Sequence, residues 1–129
     1  MITRIGVTKH NSDIVLNNRV VYLSNISAKE GETVYEQTKN ILETIDKNLR
    51  CVGSSKNDIL TMSIYLSNIH THEEMKLAFN EWVGTPPATS ILGACLLDPN
   101  SKIEIAVSAA IPNISSSSIP SLFDLNYIV

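Results

Sequence analysis

The segment Lys102–Ile111 alternates with a period of two. Ile103, Ile105, Val107, Ala109 and Ile111 fall on one face, and Lys102, Glu104, Ala106, Ser108 and Ala110 on the other. A helix would scatter these apolar residues around its surface, so the pattern predicts a strand with one buried face. Its second face carries small residues and one acid, Glu104. An acid there sits either at a solvated surface or at a site. Upstream, Thr85-Pro86-Pro87 reads as an extended entry to a second apolar run, Ser90–Leu97. Asp98-Pro99-Asn100-Ser101 lies between the runs. Pro presets φ at the second turn position and Asp can bond the backbone ahead of it. The two runs are accordingly expected to pair as a closing hairpin.

The rest of the chain adds strands and helices in alternation. Asp13–Leu16 and Arg19–Leu23 flank Asn17-Asn18 and predict a tight hairpin, because Asn tolerates positive φ. Ile2–Ile5 is a candidate edge strand. Thr33-Val34-Tyr35-Glu36 is a capping-box pattern. Val34, Ile41, Leu42, Ile45, Leu49 and Val52 follow at helical spacing, with Gly53 as a stop. On this helix Glu36, Lys39, Asn40, Lys47 and Asn48 are expected to be solvated. Ile59–Leu66 predicts a strand with Leu60, Met62, Ile64 and Leu66 on one face and Thr61, Ser63 and Tyr65 on the other. Thr71-His72-Glu73-Glu74 is a second capping-box pattern, and Met75, Ala78, Phe79, Trp82 and Val83 form an apolar stripe before Gly84. Phe79 and Trp82 are read as core, and Lys76 as part of a solvated helix face, with supply of positive charge to a site as the alternative.

The expected architecture is therefore α+β, with helices on one face of a mixed sheet. No element remains to cover the other face, which carries Thr61, Ser63, Glu104, Ala106, Ser108 and Ala110. Small residues on an uncovered face suggest contact with another subunit. The division expected is one domain over residues 1–112, followed by a Ser- and Pro-containing linker and an apolar tail over 113–129, for which docking on its own domain or a neighbour is favoured over disorder.

The 129 residues carry a net charge of −3 and no run of Lys or Arg, which argues against nucleic-acid binding. No segment is apolar enough for a membrane span, and the N-terminus lacks a secretory core, so a cytoplasmic protein is expected. Cys51 and Cys95 are expected to be buried thiols. His70-Thr71-His72 has no third ligand nearby and is read as capping-loop structure, so no metal is expected.

Pro87-Ala88-Thr89-Ser90, the run through Leu96-Leu97-Asp98-Pro99, and Lys102-Ile103-Glu104-Ile105-Ala106 together resemble the C-terminal signature of the RidA/YjgF family. That family is also called L-PSP "endoribonuclease" or reactive intermediate deaminase. Tyr22-Leu23-Ser24, Glu36-Gln37-Thr38 and the Trp82-bearing helix extend the resemblance over roughly Asp13–Ile111. It implies a chorismate-mutase-like (bacillus-type) fold and a homotrimer with a central β-barrel, with pockets in clefts between subunits. It also implies hydrolysis of 2-imino or enamine acids to 2-keto acids and ammonia, without a cofactor. Glu104 matches the acid that positions water, and Ser24 matches a pocket serine. Thr89 stands where the family carries the Arg that binds the substrate carboxylate. Ile91 replaces a Cys, Asn25 a Gly, Asn11 an aromatic and Lys76 an Asn. Thr89, Ser24, Asn25 and Ile91 are thus the candidate binding residues, and Glu104 the candidate catalytic residue.

Two functions stay open at this point. One is a deaminase weakened or altered by the loss of the Arg, and the other is a non-catalytic small-molecule binder or scaffold. Endoribonuclease activity is argued against by the acidic balance and the lack of a basic groove.

Overall fold

A computed structural model describes residues 1–112. The expected linker and tail, 113–129, lie outside the described residues. Strands β1 (Thr3–Val7), β2 (Ser12–Asn17) and β3 (Val20–Ser27) lead into helix α1 (Val34–Cys51). Strand β4 (Ile59–Leu66), helix α2 (His72–Trp82), strand β5 (Ala88–Gly93) and strand β6 (Ile103–Ala110) follow. The six strands form one mixed sheet in the order β1-β2-β3-β6-β4-β5.

Local chemistry accounts for most of these elements. Asn18 and Arg19 take φ of 50° and 64° between β2 and β3, the left-handed conformation a tight hairpin turn requires. Arg19 Nε also donates to Ile111 O at 3.2 Å, tying that turn to the end of β6. At the start of α1 the capping box forms in full: Glu36 N donates to Thr33 Oγ1 at 3.1 Å, and Thr33 N donates to Glu36 Oε1 at 3.2 Å. The expected box at Thr71 does not form. The Thr71 hydroxyl instead donates to Asn68 O at 2.6 Å, within a short 3-10 turn that the sequence pattern does not reveal.

Strand β6 is central, between β3 and β4, and its alternation is realised in full. Ile103, Ile105, Val107 and Ala109 are buried, while Glu104, Ala106, Ser108 and Ala110 are half-buried. The buried set packs with Ile41, Leu42, Ile45 and Leu49 of α1 and Met62, Ile64 and Leu66 of β4. Both helices cover this face of the sheet. On the other face, Thr61 and Ser108 share a hydroxyl–hydroxyl hydrogen bond of 2.6 Å, and no described element lies over it.

Four further expectations are corrected. The closing hairpin does not exist: β5 pairs in parallel with β4, and β6 pairs antiparallel with β4 and β3. The Asp98-Pro99 turn is real, with Asn100 N donating to Asp98 Oδ1 at 2.9 Å, but the strand it leads to is inserted on the far side of β4. Leu60 is 47% exposed because the ladder shifts register between Ile59 and Thr61, which turns Ile59 inward instead. Asn48 is fully buried on α1 rather than solvated. Cys95 is exposed and Cys51 half-buried, because Cys95 lies beyond the end of β5 in the connection to β6.

The connection before β6 is fixed by a buried side chain. Gln37 on α1 donates from Nε2 to Gly31 O at 3.1 Å and Asn100 O at 3.3 Å, while its Oε1 accepts Lys102 N at 2.9 Å. One amide thus holds the loop before α1 and the loop before β6 together, two residues ahead of Glu104.

Candidate functional site

The candidate residues fall into two groups on opposite sides of the sheet. The first group faces the uncovered side. Glu104 lies opposite Ser27 of β3 and Tyr65 of β4. Between Leu23 and Ile26 the β3–β6 ladder shifts, so Ser24 and Asn25 together span the stretch that Ala106 alone occupies on β6. Leu23 and Ile26 remain buried on the helix side, which leaves Ser24 and Asn25 to the open side. There Asn25 Nδ2 donates to Glu104 Oε1 at 3.3 Å. Asn11 Nδ2 reaches Ser24 Oγ at 3.5 Å and Asp13 Oδ1 at 3.3 Å. The bulge thereby gathers Asn11, Ser24, Asn25 and Glu104 from two strands and the turn before β2. It leaves Glu104 Oε2 with no protein donor among the bonds described.

The second group faces the helices. Thr89 and Ile91 pair in register with Met62 and Ile64, whose side chains are buried in the core on the helix-covered face. Parallel partners in register point to the same face, so Thr89 and Ile91 look toward α2 from the sheet edge. Between β5 and α2 lies an open groove of about 390 Å³. Ile64, Met75, Phe79, Pro86, Pro87 and Ile91 supply its apolar lining, and Lys76, Asn80 and Thr89 its polar lining. The Thr89 hydroxyl donates to Pro87 O at 3.0 Å within its own turn, so its proton is already committed. Asn80 is the polar lining residue that sequence reasoning missed. Its signal was its place four residues after Lys76, on the same face of α2.

Within one chain, therefore, Ser24, Asn25 and Glu104 come together, and so do Thr89 and Ile91, but the two groups do not meet. Among the described residues there is no group of three or more His, Cys, Asp or Glu that could hold a metal ion. No described helix is long and apolar enough to cross a membrane.

Comparison with known proteins gives this geometry its relatives. The family described as Endoribonuclease L-PSP matches residues 1–111. A RutC family protein from Haemophilus ducreyi is 37% identical over 114 residues, covering 86% of this chain and 97% of the relative. The RutC family protein YoaB from Escherichia coli is 33% identical over 112 residues, covering 85% of this chain and 98% of its own length. The crystal structure of a YjgF family member from Neisseria meningitidis matches with a TM-score of 0.84 at 32% identity, over 88% of this chain and 98% of that one. The six-stranded mixed sheet, the two helices and these matches over most of the chain agree: this protein belongs to the YjgF/RidA/L-PSP family, whose members are also called RutC proteins.

Proposed function

We propose that this chain assembles as a homotrimer with small-molecule pockets in the clefts between subunits, and that it retains a weakened hydrolysis of 2-imino acids. The observation that carries this reading is the placement of Glu104 and Thr89 on opposite faces of the sheet. A pocket that uses both needs a second copy, and the face and the outer edge of β5 that no other described residue covers are where one would pack.

In this reading Glu104 holds a water through its free oxygen while Asn25 fixes the other. The water oxygen bonds to the imine carbon as the nitrogen gains a proton. The C–N bond then breaks as the proton of the new hydroxyl passes through Glu104 to the nitrogen, giving a 2-keto acid and ammonia. Glu104 acts as the general base that orients and deprotonates the water. Thr89 cannot supply what an Arg would. A guanidinium forks onto a carboxylate with two charge-assisted bonds, and the Thr89 proton is spent on Pro87. A lost hydrogen bond to a charged group costs about 1.5–3 kcal/mol, or roughly 10- to 150-fold in rate.

Ammonia release from a freshly generated 2-imino acid tests the proposal, with sedimentation to establish the trimer. Wild type is expected to run slowly above the buffer blank, Glu104→Gln at the blank, and Thr89→Arg roughly 10- to 150-fold above wild type. A wild type and a Thr89→Arg variant that both run at the blank, as intact trimers, would refute hydrolysis. That result would favour the second reading, a non-catalytic binder, for which the self-bonded Thr89 is the specific support.

A further inference from the structure

Among the described residues, one cation lines the groove between β5 and α2. Lys76 lines it from α2, facing the strand that carries Thr89, with Asn80 one helical turn further on. The remaining lining is apolar except for Thr89. The ammonium is poorly neutralised: its ion pair is with Glu73 at 4.0 Å, the outer limit of such contacts, and Glu73 is itself 77% exposed and shared with His72 at 3.2 Å. The groove volume lies within the range of small-molecule clefts, about 300–1,000 Å³.

We propose that Lys76 is the anion anchor of this groove and that the ligand is a monocarboxylate with an apolar side chain. This deepens the reading of the Thr89 side as a ligand site and rests on it. The carboxylate would sit against Lys76 Nζ, with the Asn80 amide as a second donor. The hydrocarbon part would lie along Phe79, Pro87 and Ile91. Thr89 has no free proton to offer, and its oxygen lone pairs suit a donor group on the ligand rather than the carboxylate. The positive charge thus comes from the helix side of the groove and not from the strand. A lysine is a point charge on a flexible stem, so it tolerates a range of carboxylate positions. Discrimination would then come from the apolar wall, which favours branched or aromatic side chains over a methyl group.

Calorimetric titration with 4-methyl-2-oxopentanoate, its amide and pyruvate tests this without turnover, so the outcome is independent of whether the protein hydrolyses imines. The branched acid is expected to bind more tightly than pyruvate and than its own amide. Lys76→Gln should weaken the acid roughly 5- to 10-fold and leave the amide unchanged, a loss moderated by the solvent exposure of Lys76. Lys76→Arg should retain binding, and Glu73→Gln should tighten it. Equal affinity of wild type and Lys76→Gln for the acid, or no binding of the acid by wild type, would overturn the proposal. Loss of binding in Glu104→Gln with Lys76→Gln unchanged would place the anion on the other face and overturn it as well.

Discussion

Replacing Gln37 by Leu should destabilise the fold and loosen the approach to Glu104. The side chain is 6% exposed and makes three hydrogen bonds to backbone, with Gly31 O, Asn100 O and Lys102 N. Leu fills a similar volume but leaves all three groups without their partner. Each bond contributes about 0.5–1.5 kcal/mol net, and an orphaned group that stays buried costs about 1–3 kcal/mol. The Gly31 and Asn100 carbonyls lie in loops next to solvent and can recover water. Lys102 N is held between α1 and β6 and recovers it less easily. The loss is therefore expected to be roughly 2–4 kcal/mol. At about 4 °C per kcal/mol for a domain of this size, Tm should fall by roughly 8–16 °C. Thermal unfolding by circular dichroism measures the fall, and amide exchange at Lys102 reports its site. A Tm within 2 °C of wild type, roughly half a kcal/mol on the same scale, with Lys102 still protected, would refute the reasoning.

Two further outcomes follow from the geometry. Gly31 has φ of +114°, and an added Cβ would sit 2.9 Å from Gln37 N, so Gly31→Ala should cost about 1–3 kcal/mol in a urea titration. The Tyr35 hydroxyl and the Lys39 ammonium bond Glu81 across the two helices, holding Glu81 below the usual carboxylate value, while bonding to Glu81 and Tyr35 raises Lys39. The Glu81 contribution is present above the ordinary carboxylate pKa of about 4.3 and is lost as pH falls through the lowered value. The Lys39 contribution is present below its ordinary value of 10.5 and is lost as pH rises through the raised one. Urea midpoints across pH should therefore differ between wild type and Glu81→Gln over the neutral plateau and converge at both extremes.

Periodicity read the buried strand well because Ile103, Ile105, Val107 and Ala109 all obey one local rule: alternate residues meet the same layer. The cap at Thr33 was readable for the same reason, since both partners lie within one turn. The pairing of β5 was not. The Asp98-Pro99 turn specifies a reversal of direction, but which strand lies beside β5 depends on contacts distant in sequence. Leu60 failed through a one-residue shift in the β4–β6 ladder, and Asn48 because a polar residue on a helix gives no sign of what packs on it. The site shows the same division. Glu104 and Asn25 could be named from sequence, and the bulge that joins them could not. The separation of Thr89 from Glu104 by the thickness of the sheet needs the register of both strands.

The position of β5 at the sheet margin gives the two halves of the site unequal freedom to vary. Thr89 is exposed and anchored to one neighbouring strand, so a new side chain there meets solvent and groove rather than close-packed interior. Glu104 stands on a strand gripped from both sides, between Ile103 and Ile105, which are both fully buried. Ligand preference can drift by changes along the margin at little risk to folding, while the acid is embedded in the part of the sheet least able to shift. A lineage built on this scaffold would be expected to exchange what it binds more readily than where it holds its water.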